Sequence, residues 1–140
     1  MRLKHKKHIP TKESLLLAIQ NIDSSIWEGY HVYVDIMHGC ILSDRLAEGR
    51  YVHIHVTKRG LEKDTFLENK LITMYAKCGN LKRAQSVLEG LPAKDVVSWN
   101  ALIAGCVYQG HGQEALDSFH RMQGEGFSPD VITYTCALKA

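Results

Sequence analysis

The chain has 140 residues, 45% of them hydrophobic and 23% charged, which suits one domain with one core and excludes a disordered composition. Its net charge of +2 is too small to announce a nucleic-acid partner by itself. The four cysteines (Cys40, Cys78, Cys106 and Cys136) stand singly without a CxxC pair, which argues against a zinc ribbon or redox pair and suits a reducing compartment, while no apolar run approaches the eighteen or so residues that span a bilayer.

In chain order, the N-terminus "MRLKHKKHIPTKES" is basic, with no acid before Glu13. It reads either as a solvated basic arm or, from its lack of acids, as an organellar transit segment. "KESLLLAIQNI" then fits the closing helix of a degenerate hairpin, so residues 1–29 form the arm plus that helix. "VYVDIMHGC" and "DRLAEGRYVHIHVTKRG" read as two helices ended by Gly60, forming a first unit over residues 30–64.

From Phe66 the spacing of Leu67, Leu71, Ile72, Tyr75 and Cys78 predicts a helix with one apolar face, stopped by Gly79-Asn80. A second helix carries Leu81, Ala84, Leu88 and Leu91 and stops at Pro92, closing a unit over residues 65–95. The next unit, residues 96–130, repeats the plan. Trp99, Leu102, Ile103 and Cys106 turn inward on its first helix, Gly110-His111-Gly112 makes the turn, and Ala115, Phe119 and Met122 turn inward on the second. "VITYTCALKA", residues 131–140, opens a further helix that the sequence cuts short.

The units are copies. Asn69 falls on Asn100, Gly79 on Gly110, Ala84 on Ala115 and Leu88 on Phe119, all at an offset of 31, while Ile36 falls on Leu71 at an offset of 35. Self-similarity at this period means an all-α solenoid, in which each hairpin buries its apolar face on the next. Leu71, Leu88, Leu102 and Phe119 are therefore expected to be buried. Tyr134 and Leu138 leave an apolar face on the last helix, and self-association of the chain is expected from it.

Asp64, Asp95 and Asp130 each precede a helix, where an N-cap carboxylate is worth about 0.5–2 kcal/mol. Asn69 and Asn100 are poor choices inside a helix by propensity. Each alone reads as a solvated side chain, but two in register, each followed by an aspartate at the unit's end, point to a shared task. A carboxamide offers two donors and one acceptor, which suits pairing with a base edge. His53 and His55 are two apart on a helix and face different ways, so they form no metal site. No H-x-E or CxxC zinc signature of a deaminase is present, and no catalytic constellation is found; the segment reads as a non-enzyme without a cofactor.

"VVSWNALIAGCVYQGHGQEALDSFHRMQGEGFSPD" closely resembles a plant pentatricopeptide repeat of standard length. "LENKLITMYAKCGNLKRAQSVLEGLPAKD" resembles the short variant, and "VYVDIMHGC…LAEGRYVHIHVTKRGLEKD" the long one. The order long, short, standard and long again resembles the mixed-repeat class, over residues 30–140, and "MYAKCGNL" and "VVSWNALIAG" are specific to it. A tetratricopeptide repeat fits less well, since it keeps a constant length of about 34 and an early W-x₂-L-G-x₂-Y pattern absent here.

The resemblance implies a right-handed superhelix that binds single-stranded RNA, one base per repeat. It implies that Asn69 with Asp95, and Asn100 with Asp130, read bases, with uracil preferred and cytosine next. Phe66, Val97 and Ile132 would stack on bases, and Lys77, replaced by Tyr108 one repeat on, would contact phosphate. A plant mitochondrion or chloroplast is implied as the setting, with RNA processing or C-to-U editing as the task and editing cofactor proteins as partners; no membrane and no metal are involved. The chain itself reads as a truncated array or partial product. The rival reading is a helical scaffold that binds peptides or partner proteins.

Overall fold

The computed structural model describes residues 11, 13, 14, 17 and 26–140, with side chains described from residue 31 in the last stretch. The basic arm and the helix read over "KESLLLAIQNI" lie almost entirely outside the described residues. Seven helices follow: α1 Ile26–Ser43, α2 Leu46–Lys58, α3 Thr65–Lys77, α4 Leu81–Gly90, α5 Val96–Tyr108, α6 Gly112–Gly124 and α7 Val131–Lys139. No strand occurs among the described residues.

The punctuation is chemical. Asp64, Asp95 and Asp130 are the N-caps of α3, α5 and α7, each accepting from the backbone N–H three residues on. Asn80 caps α4 in the same way, through Arg83 N at 3.1 Å. Helix C-termini close with a paired motif, as in Gly79 N to Ala76 O at 3.1 Å and Asn80 N to Tyr75 O at 2.8 Å. That motif puts one residue at positive φ, and Gly60, Gly79, Gly110 and Gly126 fill it without penalty. Asp44 (φ 52°) fills it after α1. The sequence reading put Asp44 at the head of the second helix; it lies in the turn instead, and α2 starts at Leu46.

The helices form two layers. The first helices α1, α3, α5 and α7 each pack on the next, and α2, α4 and α6 pack on their own first helix and on the following one. Backbones of successive second helices do not meet, so the first helices form the inner side of the curve. Leu67, Leu71, Ile72, Tyr75, Leu88, Trp99, Leu102 and Ile103 fill the space between layers and are all but solvent-free. Each such side chain contributes about 1.5–3 kcal/mol by burial. Stacking therefore makes the core.

Phe119 corrects the sequence reading. It is half-buried, not buried like Leu88, because only α7 covers that side of α6, through Tyr134 at 6.0 Å between ring centroids. On α7 itself, Val131 and Leu138 are 82% and 87% exposed. No helix among the described residues is long and apolar enough to cross a membrane.

His53 and His55 go to opposite sides of α2, as a spacing of two on a helix requires. The Nδ1 atom of His55 meets the Tyr33 hydroxyl on α1 at 2.5 Å, and that of His53 meets the Tyr75 hydroxyl on α3 at 2.7 Å. Burial, and then the Arg83 charge, lower the pKa of His53, which favours the neutral ring that this pairing uses.

Candidate nucleic-acid interface

The exposed face of the inner layer carries residues in register. Phe66, Val97 and Ile132 are each the second residue of a first helix, and all three are large apolar side chains left 52%, 60% and 59% exposed. Lys70, one turn after Phe66, places its ammonium 5.4 Å from that ring's centroid. A depression of about 310 Å³ lies between α1 and α3, lined by Val34, Asp35, His38, Lys70, Thr73 and Lys77 among others. Lys77 is half-buried, with its ammonium 5.5 Å from the centroid of Tyr108, the residue that replaces it one repeat on.

Asn69 and Asn100 are not the solvated side chains that each would be alone. They are 7% and 6% exposed, set between successive first helices. Asn69 Nδ2 donates to Asp95 Oδ1 at 3.4 Å, and Asn100 Nδ2 donates to Asp130 Oδ1 at 3.0 Å. The structure thus brings each asparagine to the aspartate that ends its own unit. The same carboxylates cap α5 and α7, so capping and contact with the amide coexist on one oxygen.

A third residue completes each cluster, and sequence reasoning missed it. The Ser98 hydroxyl donates to Asn69 Oδ1 at 2.6 Å, and the Thr133 hydroxyl donates to Asn100 Oδ1 at 2.5 Å. Both hydroxyls also lie near their own aspartate's Oδ1, at 2.8 and 2.9 Å, and accept from its backbone N–H at 3.3 and 3.1 Å. These are capping boxes in which a serine or threonine stands in the third helical position. The legible signal was D-x-x-S and D-x-x-T at Asp95 and Asp130; what the linear pattern hides is the reach back to the preceding repeat.

Burial alone would raise the Asp95 carboxyl, but hydrogen bonds from the Ser98 backbone N–H and from Asn69, with the Ser98 hydroxyl beside it, outweigh it and hold the group below the usual carboxylate range. Asp130 is held low first by the Thr133 backbone N–H and next by Asn100. Both are therefore acceptors at neutral pH, which fixes the amide nitrogen on their side. Among the described residues no cluster of His, Cys, Asp or Glu is placed to hold a metal.

Two models of the pentatricopeptide repeat match the chain: the repeat family over residues 94–140 and the single repeat over residues 69–96. A pentatricopeptide repeat-containing protein of Arabidopsis thaliana is 33% identical over 131 residues, covering 93% of this chain and 23% of that protein. One named as chloroplastic is 41% identical over 107 residues, 76% of this chain and 17% of that protein. Another, named as mitochondrial, is 39% identical over 106 residues, 76% of this chain and 14% of that protein. The chain spans less than a quarter of the length of these relatives.

Proposed function

The chain belongs to the pentatricopeptide repeat family, and from that premise we propose that it binds single-stranded RNA in a plant organelle, one base to a repeat. The observation that carries this reading is the twice-repeated Asn–Asp pair, with an exposed apolar residue at the matching helix start. Phe66 and Val97 flank the base read by Asn69, and Val97 and Ile132 flank the base read by Asn100. Each amide, after its internal bonds, keeps one N–H and one lone pair, and either can meet the polar edge of a pyrimidine. Uridine is preferred at both, and Lys77 with Lys70 supplies positive charge for the phosphates. Relatives named as chloroplastic and mitochondrial support the organellar setting, where the task is RNA processing or C-to-U editing with editing cofactor proteins.

Stacking is worth about 1–3 kcal/mol per base, so two bases supply roughly 2–6 kcal/mol, against about 4 kcal/mol for millimolar binding. The test is a titration of the chain at NMR concentrations with short oligouridylate and oligoadenylate. Oligouridylate is expected to bind more tightly, and replacing Asn69 and Asn100 by serine should erase the difference, with some loss of melting temperature because each amide is buried and bonded to two partners. If the variant loses stability and keeps its preference, the asparagines are structural. If no RNA binds and a peptide or protein does, the scaffold reading takes over.

A further inference from the structure

We propose that Ser98 and Thr133 are specificity-determining positioning residues: a hydroxyl on the first helix of one repeat fixes the carboxamide of the repeat before it, and so sets uridine against cytidine there. This rests on the base-reading role of Asn69 and Asn100 and adds the residue that makes the reading selective.

The argument begins with donors and acceptors. A carboxamide has two N–H groups and two lone pairs on its oxygen. In each cluster one N–H goes to the aspartate and one lone pair takes the hydroxyl proton. One donor and one acceptor remain, on opposite sides of the planar group, because the hydroxyl and carboxylate oxygens, 2.8 and 2.9 Å apart, take the two that point forward together; either the N–H or the lone pair then faces a base. Uracil presents a carbonyl oxygen and an N3–H, whereas cytosine presents an amino group and a bare N3. The two bases carry the same pair of functions in opposite order. Rotating the amide by half a turn therefore exchanges preference for one with preference for the other.

The aspartate, which can only accept, opposes that rotation, and the hydroxyl, the closer partner in both clusters, opposes it as well while its proton is held by the amide oxygen. Asp95 receives the Asn69 amide at 3.4 Å, beyond the usual 2.7–3.2 Å range for N–H···O, whereas Ser98 stands 2.6 Å from its oxygen. In the second cluster the distances are 3.0 Å to Asp130 and 2.5 Å to Thr133. The hydroxyls are themselves fixed: both residues are fully buried, and each oxygen accepts from the N-cap backbone. At the α1–α3 junction the register-equivalent residues are Val34 and Leu67, so amide and hydroxyl are lost together there.

The experiment uses the whole chain, ¹⁵N-labelled, titrated separately with tetrauridylate and tetracytidylate while the side-chain amides of Asn69 and Asn100 are followed. In the wild type both amides report tighter binding of uridylate, by several-fold. Ser98→Ala should bring the two nucleotides within about twofold at Asn69, leave Asn100 unchanged, and loosen the Asn69 amide in ¹⁵N relaxation of the RNA-free chain. Thr133→Val should do the converse, with a smaller effect because Asp130 holds its amide more closely. Ser98→Thr should keep the wild-type ratio. If Ser98→Ala and Thr133→Val keep that ratio while Asn69→Ser loses it, base reading stands and this inference is overturned. If the wild-type amides themselves respond alike to both nucleotides, base reading fails and the inference falls with it.

Discussion

The junction between α1 and α3 and the junction between α3 and α5 stack the same kind of helix on the same kind of helix, with different chemistry. At the second, Asn69, Ser98 and Asp95 form a hydrogen-bonded cluster, and Ala76 meets Gly105 so closely that a Cβ on the glycine would lie 2.1 Å from the Ala76 Cβ. At the first, the register-equivalent residues are Val34, Leu67 and Asp64, with Ile41 and Met74 in place of Ala76 and Gly105. Asp64 there caps its helix, accepting from Leu67 N at 3.1 Å, and has no amide partner like Asn69 among the described residues. Bulk fills the first junction; small residues and a polar cluster close the second. Helix stacking needs only one of these solutions, and the polar one, which costs desolvation, fits the base-reading role proposed for its spare donor and acceptor. Support for the first junction comes from outside it, through the two tyrosine–histidine bonds of α2.

The sharpest way to break that comparison is to give the second junction bulk. Gly105→Ala places a methyl against a rigid helix and should cost about 3 kcal/mol, read as a lower urea midpoint. Gly90→Ala, where a Cβ would meet nothing within 4 Å, should be neutral or gain up to about 1 kcal/mol. Equal effects at the two sites would mean that the close approach is unimportant.

Next in size is Glu68. It occupies the register of Tyr33, Trp99 and Tyr134, is 5% exposed, and one of its carboxyl oxygens has no hydrogen-bond partner. Burial first, then Glu62 and Asp64, push its pKa from 4.5 up to about 7. A carboxyl whose folded pKa is raised binds more protons in the native state. It therefore lowers stability as pH rises from about 4.5 to about 7, with the full deficit present above that. Glu68→Gln should gain on the order of 2 kcal/mol at pH 8 and little at pH 4. Melting curves at the two pH values check this, and a gain independent of pH would assign the effect to packing instead.

The fold was legible because hydrophobic spacing and the turn glycines Gly79 and Gly110 repeat at an offset of 31. Leu71, Leu88 and Leu102 are solvent-free, and Gly79 and Gly110 sit in the turns at positive φ, as the pattern implies. Phe119 was misjudged because register alone does not say that its outer side lacks a neighbour. The Asn–Asp pairing was legible as register, but not Ser98 or Thr133, whose reach to a side chain 29 or 33 residues earlier exists only after stacking. The two histidines were rightly separated by helical geometry, whereas their tyrosine partners, 22 residues away in each case, lie on other helices and leave no local pattern.

A smaller effect separates the two kinds of cap. Asp64→Ala should cost about 1 kcal/mol, the usual value of an N-cap. Asp95→Ala loses the cap and leaves Asn69 short of a partner, so about 2 kcal/mol is expected. The Asp95 carboxyl is held below its ordinary pKa, so its contribution is present above the unfolded value and is lost as pH falls through the folded one. The gap between the two variants should therefore close in strong acid, as urea titrations at pH 7 and pH 2 would show. A gap of zero at pH 7 would mean that the carboxylate at the polar junction is a cap and nothing else.

The smallest effect concerns how the first hairpin turns. After α1, Asp44 N meets Ile41 O at 3.4 Å and Arg45 N meets Cys40 O at 2.9 Å, the same pair of bonds that Gly79 and Asn80 make after α3. The left-handed conformation this demands costs a residue with a Cβ about 1 kcal/mol or more, less for aspartate, whose short polar side chain tolerates it. Asp44 also sets a negative charge at the C-terminal end of α1, where the helix dipole disfavours it by about 0.3–1 kcal/mol. Glycine removes both costs and adds back some unfolded-state entropy, about 0.4–1 kcal/mol. Asp44→Gly should therefore stabilise by about 0.5 kcal/mol, and Asp44→Asn should recover the charge part alone. The reverse exchange, Gly110→Asp, should lose about 1 kcal/mol; a Cβ there would touch nothing within 4 Å, so any loss is conformational or electrostatic and not steric. Thermal melts of the three variants decide the matter. A loss in Asp44→Gly would mean that the aspartate makes a contact at the first junction that glycine cannot replace, and the two turns would then differ in kind.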